Sequence, residues 1–184
     1  AGWPAGVKLG QLCLSRFPSF IVHEEQTGRE LFFSMMDRLI EELSPQAQKF
    51  LTQTAFLQRF NTDLGGYCVR GMNTERVIEE LLETRFLLSI NPEHPLRYHL
   101  PPMVSARAMM RFRQLDTNSQ DQLIGRACTW LTQANLRIDG CKAAHCYSQP
   151  NFLQEYLLKS LIFWLRVGDL RSLSESFTLL DSGY

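Results

Sequence analysis

The stretch Phe86-Leu87-Leu88-Ser89-Ile90-Asn91-Pro92-Glu93-His94-Pro95-Leu96-Arg97-Tyr98-His99-Leu100 decides how the chain is read. Its two ends are short runs rich in branched and aromatic residues, the pattern of strands. Its centre, Asn91 to Pro95, is made of residues that turn the backbone and interrupt hydrogen-bonded ladders. The stretch therefore predicts one β-hairpin in surroundings that are otherwise helical.

On the N-terminal side, Leu31, Phe32, Met35, Met36, Leu39, Ile40 and Leu43 recur at helical spacing, with Asp37, Arg38, Glu41 and Glu42 turned away from them. Ser44-Pro45 ends that helix and starts another, because Ser supplies a capping oxygen and Pro fits the first helical position. Residues 61–69 predict a short helix broken at Gly65-Gly66. Asn73-Thr74 then caps a helix carrying Val77, Ile78, Leu81 and Leu82 on one face. After the hairpin a further helix is expected over 103–114. Three helices, a hairpin and a helix are the order of a winged-helix domain in which the hairpin is the wing. We place it at residues 29–117.

Beyond 118 the pattern is helical to residue 184. Leu123, Ile124, Ala127, Cys128 and Leu131 form one stripe, a shorter helix covers 140–147, and Leu170, Leu173, Phe177 and Leu180 begin another. The segment 152–167 contains Leu161-Ile162-Phe163-Trp164-Leu165, apolar on every face, which predicts burial on two sides by neighbouring helices. The expected fold class is mainly α: a winged-helix domain with one β-hairpin, followed by stacked antiparallel helices in the manner of the start of a TPR-like superhelix.

The 184 residues are 45% hydrophobic, enough for a core, and carry 19 basic and 19 acidic side chains. That balance gives no net field for nucleic acid, an anionic membrane or an acidic substrate. No apolar run reaches the roughly 18 residues of a membrane span. The five cysteines, Cys13, Cys68, Cys128, Cys141 and Cys146, are an odd and sparse set, read as reduced thiols of a cytoplasmic protein.

Catalytic signatures are missing. No G-x-S-x-G elbow and no G-x-x-x-x-G-K-[ST] phosphate loop occurs in the sequence. His23-Glu24-Glu25-Gln26-Thr27 lacks the second histidine of a zinc-protease motif. Cys141 and His145 share a helix face with Cys146 nearby, but no further pair completes four zinc ligands, so small buried residues between helices are the favoured reading. Arg97, Arg107, Arg111 and Arg113 lie near the wing and suggest DNA contact. The helix that would enter a groove carries Glu75, Glu79, Glu80 and Glu83 against Arg76 and Arg85, and so repels a phosphate backbone.

Further motifs carry a resemblance. Gly2-Trp3-Pro4-Ala5-Gly6 with Leu9 is similar to a GWP-A-G-x-x-L segment, and residues 39–60 to an L-x-x-L-P-x-x-x-x-x-F-L-x-x-T-x-x-L stretch. Arg97-Tyr98-His99 is similar to an R-Y-H wing motif. Ala143-Ala144-His145-Cys146 with Asn151-Phe152, and again Gly168-Asp169-Leu170, are similar to turns that open helical sensor repeats. In this order they resemble the large ATP-binding LuxR-type transcription activators, the family of the maltose-regulon activator among the signal-transduction ATPases with numerous domains (STAND). The chain departs from the family after His99, where Leu100-Pro101-Pro102-Met103 replaces an aromatic-rich helix start.

The resemblance implies that the chain is a fragment of a cytoplasmic regulator. Residues 1–28 would be the tail of an ATPase helical domain, 29–117 the winged helix and 118–184 the start of the sensor. It assigns Trp3 and Pro4 to the adenine of bound ATP or ADP and His99 to the β-phosphate in the resting form. Expected partners are the nucleotide-binding core of the same chain, further copies of the parent, and DNA through a helix-turn-helix outside these residues, with no membrane. The fragment itself is expected to bind no nucleotide and to be no enzyme, while the parent would be a slow ATPase switch. A helical-repeat scaffold for protein interaction, independent of nucleotide, is the alternative.

Overall fold

A computed structural model describes residues 28–90, 93–145 and 150–181. Nine helices and one two-stranded antiparallel sheet occur among them. The motif Gly2-Trp3-Pro4-Ala5-Gly6, with the candidate residues Trp3 and Pro4, lies outside the described residues, as does Cys146.

Helix α1 (Gly28–Glu41) buries Met36, Leu39 and Ile40, the face that helical spacing selects. Ser44 caps α2 (Pro45–Thr54), its hydroxyl accepting the Ala47 N–H at 3.2 Å, with Pro45 in the first turn. Asn61 caps α3 (Thr62–Cys68) through Leu64 N–H at 2.8 Å, and Asn73 caps α4 (Thr74–Glu83) through Arg76 N–H at 3.2 Å. Gly65 and Gly66 do not break α3, contrary to the sequence expectation. A Cβ on Gly65 would lie 2.8 Å from Cζ of Phe50, so the missing side chain lets α3 close on α2.

The wing consists of β1 (Leu88–Ser89) and β2 (Tyr98–His99), with Leu88 opposite His99 and Ser89 opposite Tyr98. Both are shorter than the five-residue runs expected. Helix α5 (Pro102–Phe112) follows at once. Pro101 stands at its N-cap and Pro102 in its first turn, so the Leu100-Pro101-Pro102-Met103 departure is a helix start in its own right.

Asp116 caps α6 (Thr117–Gln133) through Ser119 N–H at 2.9 Å, and α7 (Arg137–His145), α8 (Pro150–Val167) and α9 (Leu170–Asp181) follow. Gly168 at φ +72 turns α8 into α9, whose first turn is held by Asp169 accepting Ser172 N–H and Oγ–H. One cluster of buried side chains runs from Met36 to Ala144, crossing residue 117 without interruption. Phe50 and Phe60 meet edge to face in it, with ring centroids 5.7 Å apart, and Phe56 packs on Phe112 at 5.2 Å.

Helix α8 departs from expectation. Leu157, Ser160 and Trp164 are buried, but Leu158 is 60% and Leu165 65% exposed, with Ile162 beside them at 45%. Among the described residues only one side of the apolar stretch 161–165 is covered. Its inner side docks on α7 at Gly140, where any Cβ would overlap the Tyr156 hydroxyl. That hydroxyl lies 2.8 Å from Thr132 Oγ1 and donates to Cys128 O at 3.3 Å, tying α8 to α6.

Candidate functional site

The wing gains a third strand position that the sequence did not announce. Phe60, between α2 and α3, exchanges both backbone hydrogen bonds with Tyr98 at 2.9 Å each. Tyr98 is thus flanked by Phe60 on one side and Ser89 on the other. Antiparallel register then carries Arg59 opposite His99, where cross-strand side chains are neighbours. Ile90 N–H closes the hairpin on Arg97 O at 2.7 Å, and Asn61 Nδ2 donates to Pro95 O at 2.9 Å, fixing the wing to the start of α3.

His99 is half-buried, and its Nδ1 is enclosed with no hydrogen-bond partner among the described residues. Burial first, and then the charge of Arg59, hold its pKa below the ordinary value of 6.5. The ring is therefore neutral near pH 7. An enclosed, unpartnered N–H costs more than an enclosed lone pair, so the favoured tautomer carries its proton on Nε2. His94 has Nδ1 occupied by the Leu96 backbone, 3.0 Å from its N–H.

Asp139 on α7 faces the same charges. Burial raises its pKa, while Lys142, His94 and Arg59 act to lower it and Glu175 to raise it. Lys142 is itself paired with Glu175 at 2.7 Å. Arg59, which acts on His99, and His94 of the wing loop thus also act on Asp139 of α7, beside Lys142. The sequence singled out His99 alone, since Arg59 and Asp139 have no motif to mark them.

The other candidates are accounted for locally. Arg107 and Arg111 both pair with Asp37 on α1, Arg107 through two hydrogen bonds and Arg111 at 3.1 Å. Arg97 lies over the Tyr98 ring, 5.4 Å from its centroid. Beside the wing an open groove of about 410 Å³ is lined by Asp63, Glu75 and Glu93 against His94 and Arg97. Three carboxylates at that place disfavour a nucleic-acid backbone. Cys141 is buried against Leu157 and Trp164 with its thiol pushed up to about 11, the setting of an inert core cysteine. Among the described residues no group of three His, Cys, Asp or Glu could hold a metal ion, and no helix is long and apolar enough to cross a membrane.

No curated protein matches the chain. Residues 36–121, from within α1 to the first turns of α6, match the family model of the MalT winged helix domain. With the end of α1, then α2, α3 and α4, the hairpin and α5 in order, this span of the chain is similar to the winged-helix region of a MalT-like transcription regulator.

Proposed function

We propose that the chain is the regulatory arm of an ATP-dependent LuxR-type transcription activator. In the resting protein the wing packs on a nucleotide-binding core that these residues do not include. His99 donates from Nε2 to the β-phosphate of ADP, and Trp3 and Pro4 lie against the adenine. Inducer binding to the helices beyond residue 117 favours a second arrangement in which that contact is broken. The arm then swings free for self-assembly and DNA binding elsewhere in the protein. These 184 residues alone hydrolyse no ATP, since they contain no phosphate loop.

The observation that carries this reading is the state of His99 on a MalT-like wing: neutral, with Nδ1 unpartnered among the described residues and Arg59 beside it. A neutral imidazole with a free Nε2–H is suited to donate to a phosphate oxygen, and an adjacent guanidinium favours the anion there. In the protein carrying its nucleotide core, His99→Ala is expected to release ADP faster and to raise transcription without inducer. Unchanged ADP retention together with unchanged basal transcription would remove the role.

A further inference from the structure

We propose that the groove between α2, α3 and α6 is a binding site for a phosphate-type oxyanion. It lies away from the wing and is lined by Lys49 and Gln53 of α2, Arg70 just after α3, and Ser119, Gln122 and Arg126 of α6. Three cations from three separate elements converge there, and no carboxylate lines the space. The chain as a whole is neutral, with 19 basic and 19 acidic residues, so this is a local segregation of charge. The groove beside the wing has the opposite character, with Asp63, Glu75 and Glu93 in its wall.

The donors are arranged to serve an anion. Arg126 is held in place by Nη1 donating to Cys68 O at 3.0 Å and Nη2 donating to Gln122 Oε1 at 3.3 Å. A guanidinium has five N–H donors, so three remain. Arg70 rests on the Tyr67 ring, 5.8 Å from its centroid, which braces the side chain and leaves its charge uncompensated. Neither Lys49 nor Arg70 forms a salt bridge among the described residues. Three like charges around one concavity repel one another, and a dianion placed among them relieves that repulsion.

The groove is open to solvent and offers about 190 Å³ between its walls. That is room for inorganic phosphate or for the terminal group of a phosphomonoester whose remainder extends into solvent.

The test is NMR titration of the 184-residue chain with inorganic phosphate and, separately, glycerol 3-phosphate, at ionic strength held constant with chloride. Saturable shifts are expected at the amides of Lys49, Cys68, Arg70 and Ser119 and at the Arg126 side chain. Affinity should fall at least about tenfold in the Lys49→Gln/Arg70→Gln double variant, which folds normally because both side chains are exposed. Tighter binding of the ester identifies a phosphorylated metabolite as the ligand, and tighter binding of phosphate identifies the free ion; either upholds the site. Shifts that do not saturate, that chloride reproduces, or that persist unchanged in the double variant overturn it. So does binding of an oligoglutamate peptide without response to either phosphate. The outcome is independent of His99 and of nucleotide.

Discussion

Ser44 and Glu80, 36 residues apart, meet through two hydrogen bonds of 2.7 Å each, the Ser44 N–H donating to Oε1 and its hydroxyl to Oε2. The N-cap of α2 is thereby capped in turn by α4. Glu80→Ala is expected to destabilise the fold by roughly 1.5–3 kcal/mol, the range of hydrogen bonds to a charged group. Ser44→Ala removes the cap and the hydroxyl's bond to Glu80. A double-mutant cycle read by urea unfolding should show coupling of about 0.5–3 kcal/mol, and additive losses would mean the side-chain contact contributes nothing.

Gly140→Ala is expected to destabilise by about 1–3 kcal/mol, because its methyl overlaps the Tyr156 hydroxyl and forces α7 and α8 apart. In a Tyr156→Phe background part of that loss should disappear. The relief is partial, since Cζ of the ring would itself lie only 2.7 Å from the new methyl carbon. Equal losses in both backgrounds, measured by thermal unfolding, would place the strain elsewhere.

Asp37 makes the stability depend on acid. Burial raises its pKa, but the hydrogen bonds and charges of Arg107 and Arg111 outweigh this and hold it below the ordinary 3.8. A carboxylate depressed in the folded state contributes in full above its unfolded pKa, and the contribution is lost as pH falls through the folded value. Asp37→Asn should therefore cost about 1.5–3 kcal/mol at pH 7 and progressively less below about pH 4. A loss of the same size at pH 3 and pH 7 would contradict this.

His99 works in the opposite sense. Its folded pKa lies below 6.5, so the unfolded chain takes up the proton first. Stability should decline as pH drops through 6.5 toward the folded value and be flat above it. An NMR titration should give a midpoint below 6.5, shifted upward in Arg59→Ala but not fully restored, because burial is the larger cause. An unmoved midpoint would separate the two residues.

How much of this was legible in sequence follows from the range of each force. Ser44-Pro45, Asn61, Asn73 and the spacing of Met36, Leu39 and Ile40 act within one or two helical turns, so the helix order, the caps and the wing could be read from the residues alone. His99 was legible because it sits in a motif. Arg59, Asp139 and Glu80 were not, since each owes its role to residues dozens of positions away.

The sequence by itself determined a mainly helical chain with one hairpin and a capped start to each of its middle helices, because backbone capping and apolar periodicity are local. Only the tertiary structure decided that Gly65-Gly66 would extend a helix pressed on Phe50, and that Phe60 would become a third strand position beside Tyr98. It alone committed Arg107 and Arg111 to Asp37, and left Leu158 and Leu165 of α8 exposed. Each of these depends on which surfaces meet once the helices pack, and that is set by shape and charge across the fold, beyond the reach of neighbours in the chain.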